Sequence, residues 1–70
     1  MLEPVANRVF KELEADGYEP RLHAHEDDST FDIRLRGHNY DLDDLRAMIR
    51  TAEEFGLGLK LDENGWLTLH

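Results

Sequence analysis

One pattern runs through this chain twice and leaves few folds open: an apolar stripe at helical spacing, a glycine, then two short runs in which apolar and polar residues alternate. In the first copy Val5, Val9 and Leu13 stand four apart, and Ala6 and Phe10 widen the stripe. This spacing predicts a helix over residues 4–16, with Pro4 in the first turn, where a missing N–H removes no bond, and Gly17 as a left-handed cap. Residues 18–25 then read as extended, Leu22 and Ala24 alternating with Arg21, His23 and His25, while Pro20 argues for an edge or a strand start. Glu26-Asp27-Asp28-Ser29 is a polar turn with Ser29 as its cap, after which Phe31, Ile33 and Leu35 alternate with Asp32, Arg34 and Arg36.

The second copy follows the same plan with a stronger start signal. Asp41 is placed as an N-cap, with Asp44 at the third helical position completing an acidic capping box, and Tyr40 before it can staple onto Leu45. Leu42, Leu45, Met48, Ile49, Ala52 and Phe55 continue the stripe, so a helix is expected over about residues 42–55, closed by Gly56. Leu57, Leu59 and Leu61, then Leu67 and Leu69, make a second hairpin around Asp62-Glu63-Asn64-Gly65.

Register follows from keeping every leucine on one face. A two-residue Asn64-Gly65 turn would set Leu61 against Thr68 and split the core. A three-residue loop with a left-handed Gly65 instead pairs Asp62 with Trp66, Leu61 with Leu67 and Leu59 with Leu69. The same test gives the first hairpin a four-residue loop between His25 and Thr30, with Ala24 facing Phe31 and Leu22 facing Ile33. The expected fold is therefore α+β, ordered αββαββ: a four-stranded antiparallel sheet with two helices packed on one face, each hairpin burying one side. It is expected to be one domain over residues 1–70, in which the αββ pattern of residues 3–36 recurs over 41–70; that recurrence reads as an internal repeat or as a chance alignment of short periodic patterns, since the architecture needs no duplication.

Seventy residues hold a single thin core, and the absence of cysteine removes disulfides, thiolate metal sites and cysteine nucleophiles together. Such a chain is expected in a reducing, cytoplasmic compartment. Its first residues lack the charge and apolarity of a leader, and no apolar run approaches the roughly 18 residues of a membrane span. Sixteen acidic against eight basic residues give a formal charge of −8, which disfavours phosphate backbones and favours basic partner surfaces.

On the expected fold the charges separate by sign. The open sheet face shows Arg21, His23, His25, Arg34, Arg36, Lys60 and His70, with Trp66 and Thr68 among them and Asp32 and Asp62 as its acids; the helices and turns hold nearly all the others. Asp43 and Asp44 sit where a helix dipole favours them. Glu14 and Asp16, and Glu53 and Glu54, crowd the negative helix ends, where each costs about 0.3–1 kcal/mol. Local stability does not select that placement, although solvation accounts for much of the shell. An acidic surface docking on a basic groove does select it, as in small inhibitors, immunity proteins, antitoxins and nucleic-acid mimics. The expected function is a non-enzymatic, protein-binding inhibitor or regulator, with Asp43, Asp44, Glu53, Glu54, Glu14 and Asp16 as contacts.

A second reading uses Arg21, Arg34, Arg36 and Trp66 as the seam of a homodimer or assembly, because Arg21 opposite Arg34 is repulsive unless something anionic intervenes. A third is an RNA-binding sheet, against which stand the single aromatic and the net charge. His23 and His25 with Asp32 give two or three ligands at most, beside arginines that repel a cation, so no metal is expected. Ser29 is the only serine, His25 has no evident orienting carboxylate, and Gly56-Leu57-Gly58 lacks the lysine of a phosphate loop, so neither catalysis nor a cofactor is expected.

Overall fold

A computed structural model describes residues 1–36 and 40–70. Its elements are α1 (Glu3–Ala15), β1 (Arg21–Ala24), β2 (Phe31–Arg36), α2 (Leu42–Glu54), β3 (Leu59–Leu61) and β4 (Trp66–Leu69). Both helices stop for the same reason. Gly17 and Gly56 adopt φ of 91° and 68°, a region that any Cβ disfavours, and each places two backbone N–H groups back on the last turn. Gly17 N donates to Glu14 O and Tyr18 N to Leu13 O; Gly56 N donates to Glu53 O and Leu57 N to Ala52 O. These are paired Schellman closures, and they turn the chain out of each helix toward its hairpin.

The start of α2 is the capping box that the sequence predicts. Asp44 N donates to Asp41 Oδ1 at 2.9 Å, and Asp41 N donates to Asp44 Oδ2 at 3.2 Å. Asp41→Ala is expected to lower the unfolding free energy by about 1 kcal/mol, read as a lower urea midpoint with an unchanged m-value. α1 has no such cap: Leu2 precedes it in extended conformation with no side-chain bond to the helix. Instead Met1 ties the helix start to the sheet, its ammonium donating to Phe31 O at 2.8 Å and its carbonyl accepting from Phe31 N at 2.7 Å.

The strands form one antiparallel sheet in the order β1-β2-β4-β3. Both hairpin registers are those expected, with Leu22 opposite Ile33, Ala24 opposite Phe31, Leu61 opposite Leu67 and Leu59 opposite Leu69. The two hairpins meet along β2 and β4, where Arg34 faces Thr68 between the rungs Ile33–Leu69 and Leu35–Leu67. Val9 and Leu13 of α1 and Met48 and Ala52 of α2 pack on Ile33, Leu35, Leu67 and Leu69, giving one continuous core. The Cα radius of gyration, 11.2 Å, is close to the value of about 11 Å for a compact domain of this length.

Three local expectations are corrected. β1 and β3 begin later than the alternation suggested, at Arg21 and Leu59. The two hairpins do not each bury a full face: Leu22 is 42% exposed and Leu61 66%, each lying on an edge strand with a neighbour on one side only. On α2 the outer stripe residues Leu42 and Ile49 are exposed as well. Finally, Asp27 and not Ser29 caps the first hairpin loop, its Oδ1 accepting from Ser29 N at 3.0 Å and Thr30 N at 3.1 Å.

Those two backbone donors stabilise the Asp27 carboxylate and hold its pKa below the ordinary value. A folded-state pKa below the unfolded one adds stability that is present above the unfolded value and disappears as pH falls through the folded one. Wild type should therefore be more stable than Asp27→Asn at neutral pH, and urea titrations should converge once pH drops below the range in which carboxylates ionise.

Candidate functional site

The open face of the sheet carries a row of cations. Across one rung run Arg21, Arg34, Thr68 and Lys60, each directly opposite the next. The adjacent rung sets Arg36 against Trp66. The indole is half-buried because guanidinium groups lie over it: Arg36 at 4.3 Å from the ring centroid and Arg21 at 5.8 Å. This contact disperses some of the repulsion that the opposed Arg21 and Arg34 create. Among the described residues the ion pairs are His25–Asp32 and Asp43–Arg46, so Arg21, Arg34, Arg36 and Lys60 have no carboxylate within 4.0 Å. In a chain with twice as many acids as bases, that is a face on which bases outnumber acids, its carboxylates being those of Asp32 and Asp62.

Beyond the arginines the face changes character. The register sets Asp32 opposite His23, but its carboxylate reaches diagonally to His25 Nε2, at 2.9 Å. His25 therefore does have an orienting carboxylate, contrary to expectation. Its Nδ1 lies 2.7 Å from Thr30 Oγ1, which itself donates to Asp27. A threonine, a histidine and an aspartate are thus connected through one ring, as in a hydrolase triad, yet the proton accounting runs the wrong way. Thr30 has one hydroxyl proton. Where that proton is given to Asp27 it is not shared with Nδ1, so the Thr30–His25 contact does not by itself assemble a hydroxyl with its base. The other Asp32 oxygen, Oδ1, is buried with no hydrogen-bond partner among the described residues.

The acidic candidates split into distinct groups. Asp44 is structural: besides its bonds in the capping box, Oδ1 accepts from the Tyr18 hydroxyl at 3.1 Å. Burial, then that acceptor, raises the Tyr18 pKa, so the phenol remains a donor throughout the neutral range. Tyr40 lies edge-to-face on Tyr18, with ring centroids 5.2 Å apart, and its hydroxyl accepts from Glu19 N. These ties between the two helix–hairpin units are nonlocal, and no local pattern announced them.

The remaining acids, Glu14, Asp16, Asp43, Glu53 and Glu54, are exposed. Asp16 and Glu54 are brought together with Glu12 in a hollow of about 420 Å³ where the end of α1 meets α2, and Arg50 is the cation beside them. Asp43 and Glu53 lie apart from that hollow, flanking Ile49 on the outer side of α2 with Arg46 and Arg50. Arg50 makes no ion pair with Glu54 among the described residues; the helix-surface pair observed is Asp43–Arg46, at 3.8 Å and solvent-exposed.

Among the described residues no three metal-ligating side chains converge, and no helix is long and apolar enough to cross a membrane. Comparison with protein-family models, curated proteins and solved structures finds no match to this chain.

Proposed function

We propose that this chain is a non-enzymatic protein-binding domain, a cytoplasmic inhibitor or regulator that lays its acidic helical layer on a basic surface of a target protein. The observation that carries the reading is the segregation of sign. The open sheet carries Arg21, Arg34, Arg36 and Lys60 against Asp32 and Asp62, whereas the helices and turns carry the other acids, Glu14, Asp16, Glu53 and Glu54 at the helix ends among them, against Arg8, Lys11, Arg46 and Arg50. A molecule polarised in this way is oriented as well as attracted. In the field of a basic partner it turns the helices forward and the sheet away, which raises the fraction of productive encounters.

The test is kinetic. A partner captured from native cell extract at low ionic strength should associate at a rate that falls steeply with added salt, because the contacts are solvent-exposed and screened within about 8–10 Å. An association rate indifferent to salt overturns the reading, as does a partner whose binding depends on Trp66 and not on the acids.

The sheet face supports a second reading, as an assembly or partner-binding seam, on the strength of its unpaired guanidinium groups. The RNA alternative is weaker. With Arg36 stacked on Trp66, the ring face that a base would need is already covered.

A further inference from the structure

The helical layer carries a large excess of acids and the open sheet face an excess of bases, so neither complements its own copy. A twofold interface must be complementary to itself. One region of the surface meets that requirement, the edge formed by β3 and the outer side of α2. Asp43 and Glu53 stand there beside Arg46 and Arg50, with Lys60 on β3 and Asp62 and Glu63 just after it, so both signs meet along this edge in a chain whose net charge is −8. Between them lies an apolar groove formed by Leu45, Ile49, Leu59 and Leu61, in which Ile49 is 43% and Leu61 66% exposed.

The backbone of β3 is open on the same side. His70 N donates to Gly58 O and Asp62 N donates to Trp66 O, so in an antiparallel ladder Gly58, Lys60 and Asp62 face β4. The N–H and C=O groups of Leu59 and Leu61 then point away from the sheet, beside the groove that their side chains line. We propose that a second copy of this chain occupies this edge, β3 pairing antiparallel with the partner's β3 so that two four-stranded sheets join into one.

Charge selects the register. Centring the pair between Leu59 and Leu61 sets Lys60 against the partner's Lys60, which is repulsive. Centring it on Leu61 sets Lys60 against the partner's Asp62 on both sides of the axis. Asp62 commits Oδ1 to its own turn, accepting from Asn64 N and Trp66 N, and keeps Oδ2 for that contact. The same register brings the two Leu61 side chains together on the core face, with Ile49 of each α2 beside them. Glu14, Asp16 and Glu54 stay outside the seam while Asp43 and Glu53 stand at it, so the two proposals are told apart by Leu61→Lys, which alters the seam and none of the docking acids.

Sedimentation equilibrium from micromolar to millimolar concentration tests it. Wild type should pass from monomer to dimer, and Leu61→Lys should weaken the dimer by about tenfold or more while keeping the monomer's circular dichroism. Ile49→Lys should act in the same direction, and Trp66→Ala should leave the dimer intact. The register has its own probe, because the chain has no cysteine. Leu61→Cys should form an intermolecular disulfide on oxidation, since paired Cα atoms stand about 5.5 Å apart in such a rung. Leu22→Cys, on the opposite edge, should not. A wild type monomeric over the whole range, a dimer that survives Leu61→Lys, or one that is lost with Trp66→Ala overturns the proposal. Crosslinking at Leu22 in place of Leu61 does so too.

Discussion

Leu69→Ala should leave a large share of molecules unfolded at 25 °C. Leu69 has no solvent exposure and lies between Ile33 of β2 and Leu59 of β3, inside the cluster to which both helices contribute. Removing its isobutyl group forfeits the transfer energy and leaves a void that close-packed neighbours only partly fill, at a cost of about 2–5 kcal/mol. A core in a chain this short supplies roughly 3–5 kcal/mol in all. The substitution therefore removes most of the margin, and thermal melting followed by circular dichroism should show a fall of well over 8 °C or no cooperative transition. Leu61→Ala is the matched control. Leu61 belongs to the same alternating pattern but is 66% exposed, so in the monomer its truncation should change stability by less than about 0.5 kcal/mol. Equal costs at the two positions would contradict the burial described above.

Glu53→Lys combined with Glu54→Lys should move stability and association in opposite directions. Both carboxylates lie in the last turn of α2, which contains no basic residue. Replacing anions by cations there suits the partial negative charge of the helix end and should stabilise the fold by about 0.3–1 kcal/mol per site at low salt. The same change inverts the field that the proposed docking layer presents, and association with a basic partner should slow by roughly tenfold or more. Stopped-flow association and thermal melting on the same samples read both effects, and added salt should shrink both. A variant that is more stable yet associates as fast as wild type would remove the acidic layer from the binding surface.

Much of this fold is written in short-range spacing. Keeping the leucines on one face was enough to pair Leu61 with Leu67 and Leu22 with Ile33, and the Asp41–Asp44 box is visible as two carboxylates three residues apart. What the pattern does not hold is lateral order. Ile33 and Leu22 look alike in an alternating run, yet one is fully buried and the other is not, because β2 is central and β1 is an edge. The same blindness hid the exposed side of α2.

The candidate site was legible in its cast and less so in its connections. Cross-strand opposition placed Arg21 against Arg34 from register alone, whereas Arg36 faces Trp66 only because β2 lies beside β4, an order that the spacing does not contain. It could not say that Asp32 would turn to His25 and leave its register partner His23, since the choice rests on Thr30 and Asp27 fixing the far side of the ring. Nor could it say that Asp44, counted among the docking acids, is held by Tyr18 from 26 residues away.

The rung at which the two hairpins meet has a wider meaning. An axis through Arg34 and Thr68 exchanges Ile33–Leu69 with Leu35–Leu67, so each helix–hairpin half stands to the other much as one subunit of a twofold pair stands to its mate. Two separate, identical halves would have to present the same residue at that crossing, and arginine there would meet arginine. A single chain is free of that constraint: at the crossing β2 presents a guanidinium and β4 a small buried hydroxyl, so the backbone keeps a local twofold that the side chains do not share.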